Sequence, residues 1–250
     1  MDKIQEILNI RLPEKKDINI KHLLPESNFH SVNLEYIVKT HSSWFLETEL
    51  LTQEINQKGR DIVNHSRNIM LLGLNRSGYK KEKWWKDYDF FWQNIIGALL
   101  KTLRKFSTEE GYKKIFNYYK GAYITDLFKG YFFVNWVNIS KANEFIKRLE
   151  INPKKLYIIK TCKYLLKEEL KVLNIEKIII IGGTAYSEFK KMFRISKDDI
   201  KLSISVLSNE FKLKGKNIEI YQIYHYGQSA RDNYRKQIPG QLLDIARIKI

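Results

Sequence analysis

The chain has 250 residues and a single cysteine, Cys162. One thiol excludes a disulfide framework, a zinc site built on thiolates and an iron–sulfur cluster, each of which needs several. It suits a reducing cytoplasm, where this protein is expected to reside. Proline and glycine are scarce, at 4 and 12, which excludes collagen-like and low-complexity architectures. No apolar run reaches the roughly 18 residues needed to span a bilayer. The stretch Met1–His30 is polar and charged and lacks the apolar centre of a signal peptide. Acidic residues are also in short supply: 28 Asp and Glu face 44 Lys and Arg, a formal charge of +16. Hydrophobic residues, at 44%, and aromatics, at 13%, are enough for a sizeable core and too many for a disordered chain. The expectation is a soluble protein without membrane association, one compact domain carrying an N-terminal extension.

The positive charge favours a polyanionic partner, with nucleic acid the first candidate. A composition rich in Lys, Ile and Asn also arises from an AT-rich genome. That origin accounts for much of the lysine but not for the shortage of acids. Aromatic and basic residues interleave in Lys80–Trp92 and Lys113–Trp136. The mixture suits base stacking beside phosphate contacts, although a solvated face over an aromatic core has the same pattern.

Residues 1–60 carry helical patterns broken at Pro13 and Pro25 and read as an N-terminal helical extension. Residues 61–250 read as an α/β domain. Four short apolar runs predict strands over Asn68–Leu74, Ala122–Phe128, Lys177–Ile181 and Ile218–Tyr224. Phe91, Ile95, Leu99 and Leu103 recur at helical spacing. Asn152-Pro153 predicts a helix start, with the apolar stripe Leu156, Ile159, Leu166 and Leu170 behind it. Strands alternating with helices predict a three-layer α/β/α sandwich around a four-stranded, mainly parallel sheet. Ligands bind such sheets outside the carboxyl ends of the strands.

The residues expected there are polar. The first strand ends in Gly73-Leu74-Asn75-Arg76-Ser77-Gly78. The second carries Thr125-Asp126-Leu127-Phe128-Lys129, the third ends in Gly182-Gly183-Thr184-Ala185, and the fourth ends in His225-Tyr226-Gly227-Gln228-Ser229-Ala230-Arg231. Any one of these loops reads equally as a turn. Gly182-Gly183 lacks the spaced glycines and later acidic residue of a dinucleotide site. The 5 histidines show no metal-ligand spacing, and no metal or cofactor is expected.

From about Arg67 to Arg235 these motifs, in this order, resemble the uracil-DNA glycosylase superfamily. The first is similar to the Gly-x-Asn-Pro-Gly loop of its mismatch-specific and single-strand-selective branches, with Arg76 where Pro is usual. Phe91-Trp92 and Ile95 resemble the helix after that loop. Cys162–Ala185 resembles a helix, strand and turn common to several branches. His225–Arg231 resembles the last motif, usually His-Pro-Ser and a wedge loop, with Tyr226-Gly227 in place of Pro-Ser.

The resemblance implies a uracil-DNA glycosylase-like fold, and an enzyme that flips a nucleotide out of the stack and hydrolyses its base–sugar bond. It implies Asn75 as the residue orienting water and His225 as donor to the departing base. Tyr88, or alternatively Trp84 or Trp85, stacks on the flipped base. Arg76, Ser77, Lys129, Gln228, Ser229, Arg231 and Arg235, with Lys236, fall to the DNA surface or the wedge loop. Asp126 stands in the strand that reads the base, where uracil-reading branches often have Asn. An ionised Asp only accepts hydrogen bonds and would repel uracil O4. A protonated Asp126, its proton favoured by burial, accepts from cytosine N4 and donates to N3. Asp126 also reads as a helix cap or as a partner for a nearby lysine.

Removing ordinary cytosine would destroy the host genome. The expected substrate is therefore a hydroxymethylated or glucosylated cytosine of phage DNA, removed in antiviral defence to leave an abasic site. The alternatives are uracil removal in base excision repair, and a catalytically inactive DNA-binding module.

Overall fold

The computed structural model describes residues 2–10, 42–46, 50, 55–74, 77–78, 88–128, 133–134, 153–195, 201–202, 207–213, 216–226 and 232–248. For 8, 42–43, 77–78, 88–95, 133–134, 153–161, 201–202 and 207–213 the description is of the backbone. In chain order the elements are α1 (Lys3–Leu8), β1 (Ser42–Trp44), α2 (Gln57–Asn64), β2 (Ile69–Gly73), β3 (Ser77–Gly78), α3 (Tyr88–Phe106), α4 (Glu109–Tyr119) and β4 (Tyr123–Asp126). There follow β5 (Phe133–Val134), α5 (Pro153–Val172), β6 (Lys177–Ile181), α6 (Gly183–Phe193), β7 (Lys201–Leu202), β8 (Leu207–Leu213), β9 (Lys216–Ile223), α7 (Asp232–Arg235) and α8 (Ile238–Ala246).

The main sheet has seven strands in the order β1-β4-β2-β6-β9-β8-β7. Its centre, β4-β2-β6-β9, is wholly parallel. These are the four strands expected from the apolar runs. Ile178, Ile179 and Ile180 of β6 and Met70, Leu71 and Leu72 of β2 are buried. Continuous apolar runs of this kind mark strands covered on both faces. With helices on both sides the fold is the expected three-layer α/β/α sandwich.

Three further strands extend the sheet antiparallel. β1 pairs with β4, β8 with β9 and β7 with β8. Within the stretch expected to be helical, Ser42–Trp44 is therefore a strand, registered on Tyr123–Thr125. The ring of Trp44 lies 5.0 Å from that of Tyr123. Tertiary pairing outweighs local propensity in so short a segment. α1 begins as a helix should, with Asp2 Oδ1 accepting from the Ile4 and Gln5 amides at 3.0 and 3.3 Å.

Helix starts follow local chemistry elsewhere. Thr108 caps α4 by accepting from the Gly111 amide at 3.1 Å, and Glu109 and Glu110 favour the positive end of the helix dipole. α5 starts at Pro153, as the Asn152-Pro153 pair predicts. Tyr119 closes α4 against α8, its buried hydroxyl donating to the Leu242 carbonyl at 2.7 Å. Among the described residues no helix is long and apolar enough to cross a membrane.

A candidate active site at the carboxyl end of the sheet

The four parallel strands present their carboxyl ends together, at Gly73, Asp126, Ile181 and Ile223. Gly73 and Asp126 are register partners on neighbouring strands. The pairing runs on past them, with the Leu127 amide donating to the Gly73 carbonyl at 2.9 Å and the Phe128 amide to the Leu74 carbonyl at 3.0 Å. Asp126 therefore ends a strand and does not cap a helix. It is only 5% exposed. Its Oδ1 lies 3.0 Å from the point a β-carbon on Gly73 would occupy. The bare glycine makes room for the carboxyl group.

On the other side of β2, Gly182 ends β6 with φ at +93°, a conformation open essentially to glycine alone. Its amide donates to the Ile223 carbonyl at 2.9 Å. This turn brings the chain under His225, whose ring atoms lie 3.5–4.0 Å from where a Gly182 β-carbon would stand. The segment leaving β9 is held by buried Gln241, whose Oε1 accepts from the Tyr224 amide at 3.0 Å.

His225 keeps an exposed surface, yet the protein around its imidazole desolvates it and lowers its pKa from 6.5. The ring is therefore neutral at physiological pH. It stacks on Tyr226 with centroids 5.3 Å apart and planes at 14°. Burial, and then the negative charge of Asp126, push the Tyr226 phenol far above its ordinary pKa. Tyr226 thus stays a protonated donor within electrostatic reach of Asp126. The ends of β4 and β9 converge on one site across β2 and β6.

Two residues that shape this end of the sheet were not singled out by the sequence. Tyr226 stood only as a departure from Pro, although its size and hydroxyl at that place were the available signal. Glu169, on α5, is fully buried. Its Oε1 accepts from the Tyr123 hydroxyl at 2.9 Å and from Thr125 Oγ1 at 3.5 Å. Side chains alternate along a strand, so Glu169 grips β4 on the face opposite Asp126. The sequence signal was its place on the stripe Cys162, Leu165, Leu166, Leu170 and Leu173, all buried.

The structure brings Asp126 and His225 to the same end of the sheet. Ser77 lies in β3, paired with Phe133, and Tyr88 opens α3. Arg235 is in α7, its guanidinium donating to Asp232. Asn75, Arg76, Trp84, Trp85, Lys129, Gln228, Ser229 and Arg231 lie outside the described residues. Among the described residues no three His, Cys, Asp or Glu side chains gather as metal ligands would. Compared with known proteins, the chain matches no family model and no curated protein.

Proposed function

We propose that the protein is a DNA glycosylase that removes a modified cytosine, hydroxymethylated or glucosylated, from phage DNA. The observation that carries this reading is Asp126: a carboxyl group buried at the carboxyl end of a central parallel strand, given room by a glycine. A proton shared between the Asp126 carboxyl group and N3 of a flipped cytosine lets the same group also accept from the N4 amino group. Uracil turns its acceptor O4 to an oxygen that can only accept, and is disfavoured there.

In this reaction the bond between the base nitrogen and the sugar C1′ breaks, and its electron pair leaves on the base. Water adds to C1′, and its proton passes to the base, giving free base and an abasic site. His225, held neutral by desolvation, donates from a ring N–H to the base O2 as negative charge develops there. The resemblance gives Asn75 the task of orienting the water. An amide takes no proton at neutral pH, so cleavage largely precedes water attack. Tyr226 supplies a second neutral donor within reach of Asp126. The excess of positive charge, +16, suits a polyanionic substrate.

The test is base release from matched duplexes bearing cytosine, uracil, hydroxymethylcytosine or glucosylated hydroxymethylcytosine, read as strand breakage at abasic sites. Release from a modified cytosine alone, lost in Asn75→Ala and His225→Ala, is the expected result. Release from uracil alone would make the protein a repair enzyme. Binding without release from any duplex would make it a DNA-binding module.

A further inference from the structure

Beyond the end of β9 lies a surface of which the sequence singled out only Arg235 and Lys236. Tyr234, in α7, is 44% exposed, the one exposed large hydrophobic side chain among the described residues. Its ring lies 4.8 Å from that of Tyr224, at 36°. The end of β9 thus holds the ring in place. Cations converge beside it on the carboxylate of Asp232. Arg235 donates to it, and Lys105, in the last turn of α3, comes within 3.9 Å. The Arg235 hydrogen bond, then the charges of Arg235, Lys105 and Lys236, hold the Asp232 carboxyl below its ordinary pKa. Lys101, Lys105 and Lys236 are exposed, with Lys101 one turn before Lys105 on the same face of α3. One carboxylate is thus outnumbered by its cations, on the short helix that carries an aromatic ring already fixed in position.

We propose that this surface binds single-stranded DNA, with one base stacked on Tyr234 and the adjoining phosphates against Lys105, Lys236 and Lys101. It rests on the proposed action on DNA and adds a hold on strand flanking the flipped nucleotide. Every base has a π-face, so an exposed aromatic among cations takes any sequence. Because Tyr224 already orders the ring, stacking loses little further side-chain freedom. An acidic peptide would satisfy the lysines but leave the ring without a planar partner.

The experiment is an anisotropy titration of the full chain with a labelled, unmodified oligothymidylate of about a dozen nucleotides, within the span of single-strand sites. Tyr234→Leu should weaken binding about tenfold, within the known worth of a stacked base, while Tyr234→Trp retains it. Lys105→Gln and Lys236→Gln should each flatten the slope of log affinity against log salt by about 0.7. The proposal is overturned if Tyr234→Leu binds like the wild type, if the wild type fails to bind, or if polyglutamate displaces the DNA at equal charge. Because the oligonucleotide carries no substrate base, the two readings fail separately. Binding with this signature but no base release from any duplex leaves the surface standing and removes the glycosylase. Base release together with unchanged binding by Tyr234→Leu removes the surface alone.

Discussion

Asp126 and Gly73 occupy one space between two strands: the carboxylate Oδ1 stands 3.0 Å from where a β-carbon on its register partner would be. Gly73→Ala puts a methyl group against that oxygen, and the side chain must give way. A displacement approaching 1 Å at a reacting site costs about a hundredfold in rate. Gly73→Ala should therefore slow base release about tenfold to a hundredfold in single-turnover assays. Its melting temperature should stay within about 4 °C of the wild type, the shift of a change below about 1 kcal/mol. An unchanged rate would remove Asp126 from the reaction.

Asp126→Asn preserves shape and changes the hydrogen-bond pattern. An amide offers a donor and an acceptor without needing a proton and, by turning over, suits uracil or cytosine. The variant should gain measurable release of uracil and lose its preference for modified cytosine. Competition between the two substrates in one tube reads the exchange directly. Loss of both activities with DNA binding intact would assign Asp126 a role other than choice of base.

Gly182→Ala separates backbone strain from steric conflict. The new methyl would meet the His225 ring at 3.5–4.0 Å, an ordinary contact, but φ is +93°. Strain alone decides the outcome, at about 1–3 kcal/mol. Urea denaturation should show that loss with an unchanged m-value. A stability equal to the wild type would mean that the turn adopts another conformation.

The lowered pKa of His225 makes a signed prediction about pH. The unfolded chain takes up the proton first as pH falls through about 6.5, because the folded imidazole has the lower pKa. Stability contributed by the neutral ring is fully present above that value and declines as the pH drops toward the folded pKa. His225→Asn should flatten the curve of stability against pH in that window. A His225 nuclear magnetic resonance titration with its midpoint at or above 6.5 in the native protein would contradict the desolvation of the ring.

Glu169 offers a test of structural support. Glu169→Ala opens a cavity and deprives the buried Tyr123 hydroxyl of its acceptor. The expected loss is about 2–5 kcal/mol, read as a lower denaturation midpoint. Glu169→Gln keeps an acceptor oxygen and should recover most of that stability. If both variants melt like the wild type, the grip of α5 on β4 is not needed.

The parallel centre was legible because β2 and β6 are continuous apolar runs of strand length and β9 alternates, with Ile218 and Ile220 buried. Ile178–Ile181 is the clearest case. The start of α5 was legible because Asn152-Pro153 is a local signal acting without tertiary help. β8 was not, since Leu207–Leu213 alternates apolar with polar residues irregularly and gains its place by pairing with β9. β1 has 3 residues, too few to show any period. At the site, Asp126 and His225 could be singled out because polar side chains close apolar runs there. Tyr226 and Glu169 could not, because what marks them is their neighbours across the fold: Asp126 for one, Tyr123 and Thr125 for the other. A sequence displays composition along the chain, and these two residues owe their environment to distant segments.

β1 gives the strand ending in Asp126 a neighbour on each side, β2 and β1. A chain cut between Leu46 and Ile69 and separated from its front part would lose that cover. The backbone amides and carbonyls of β4 that face β1 would then lie open along the sheet edge, stripped of Trp44 as well. Such a border recruits strands from other molecules. In this fold the front segment acts as a guard against self-association, and the shorter fragment is expected to precipitate where the full chain does not.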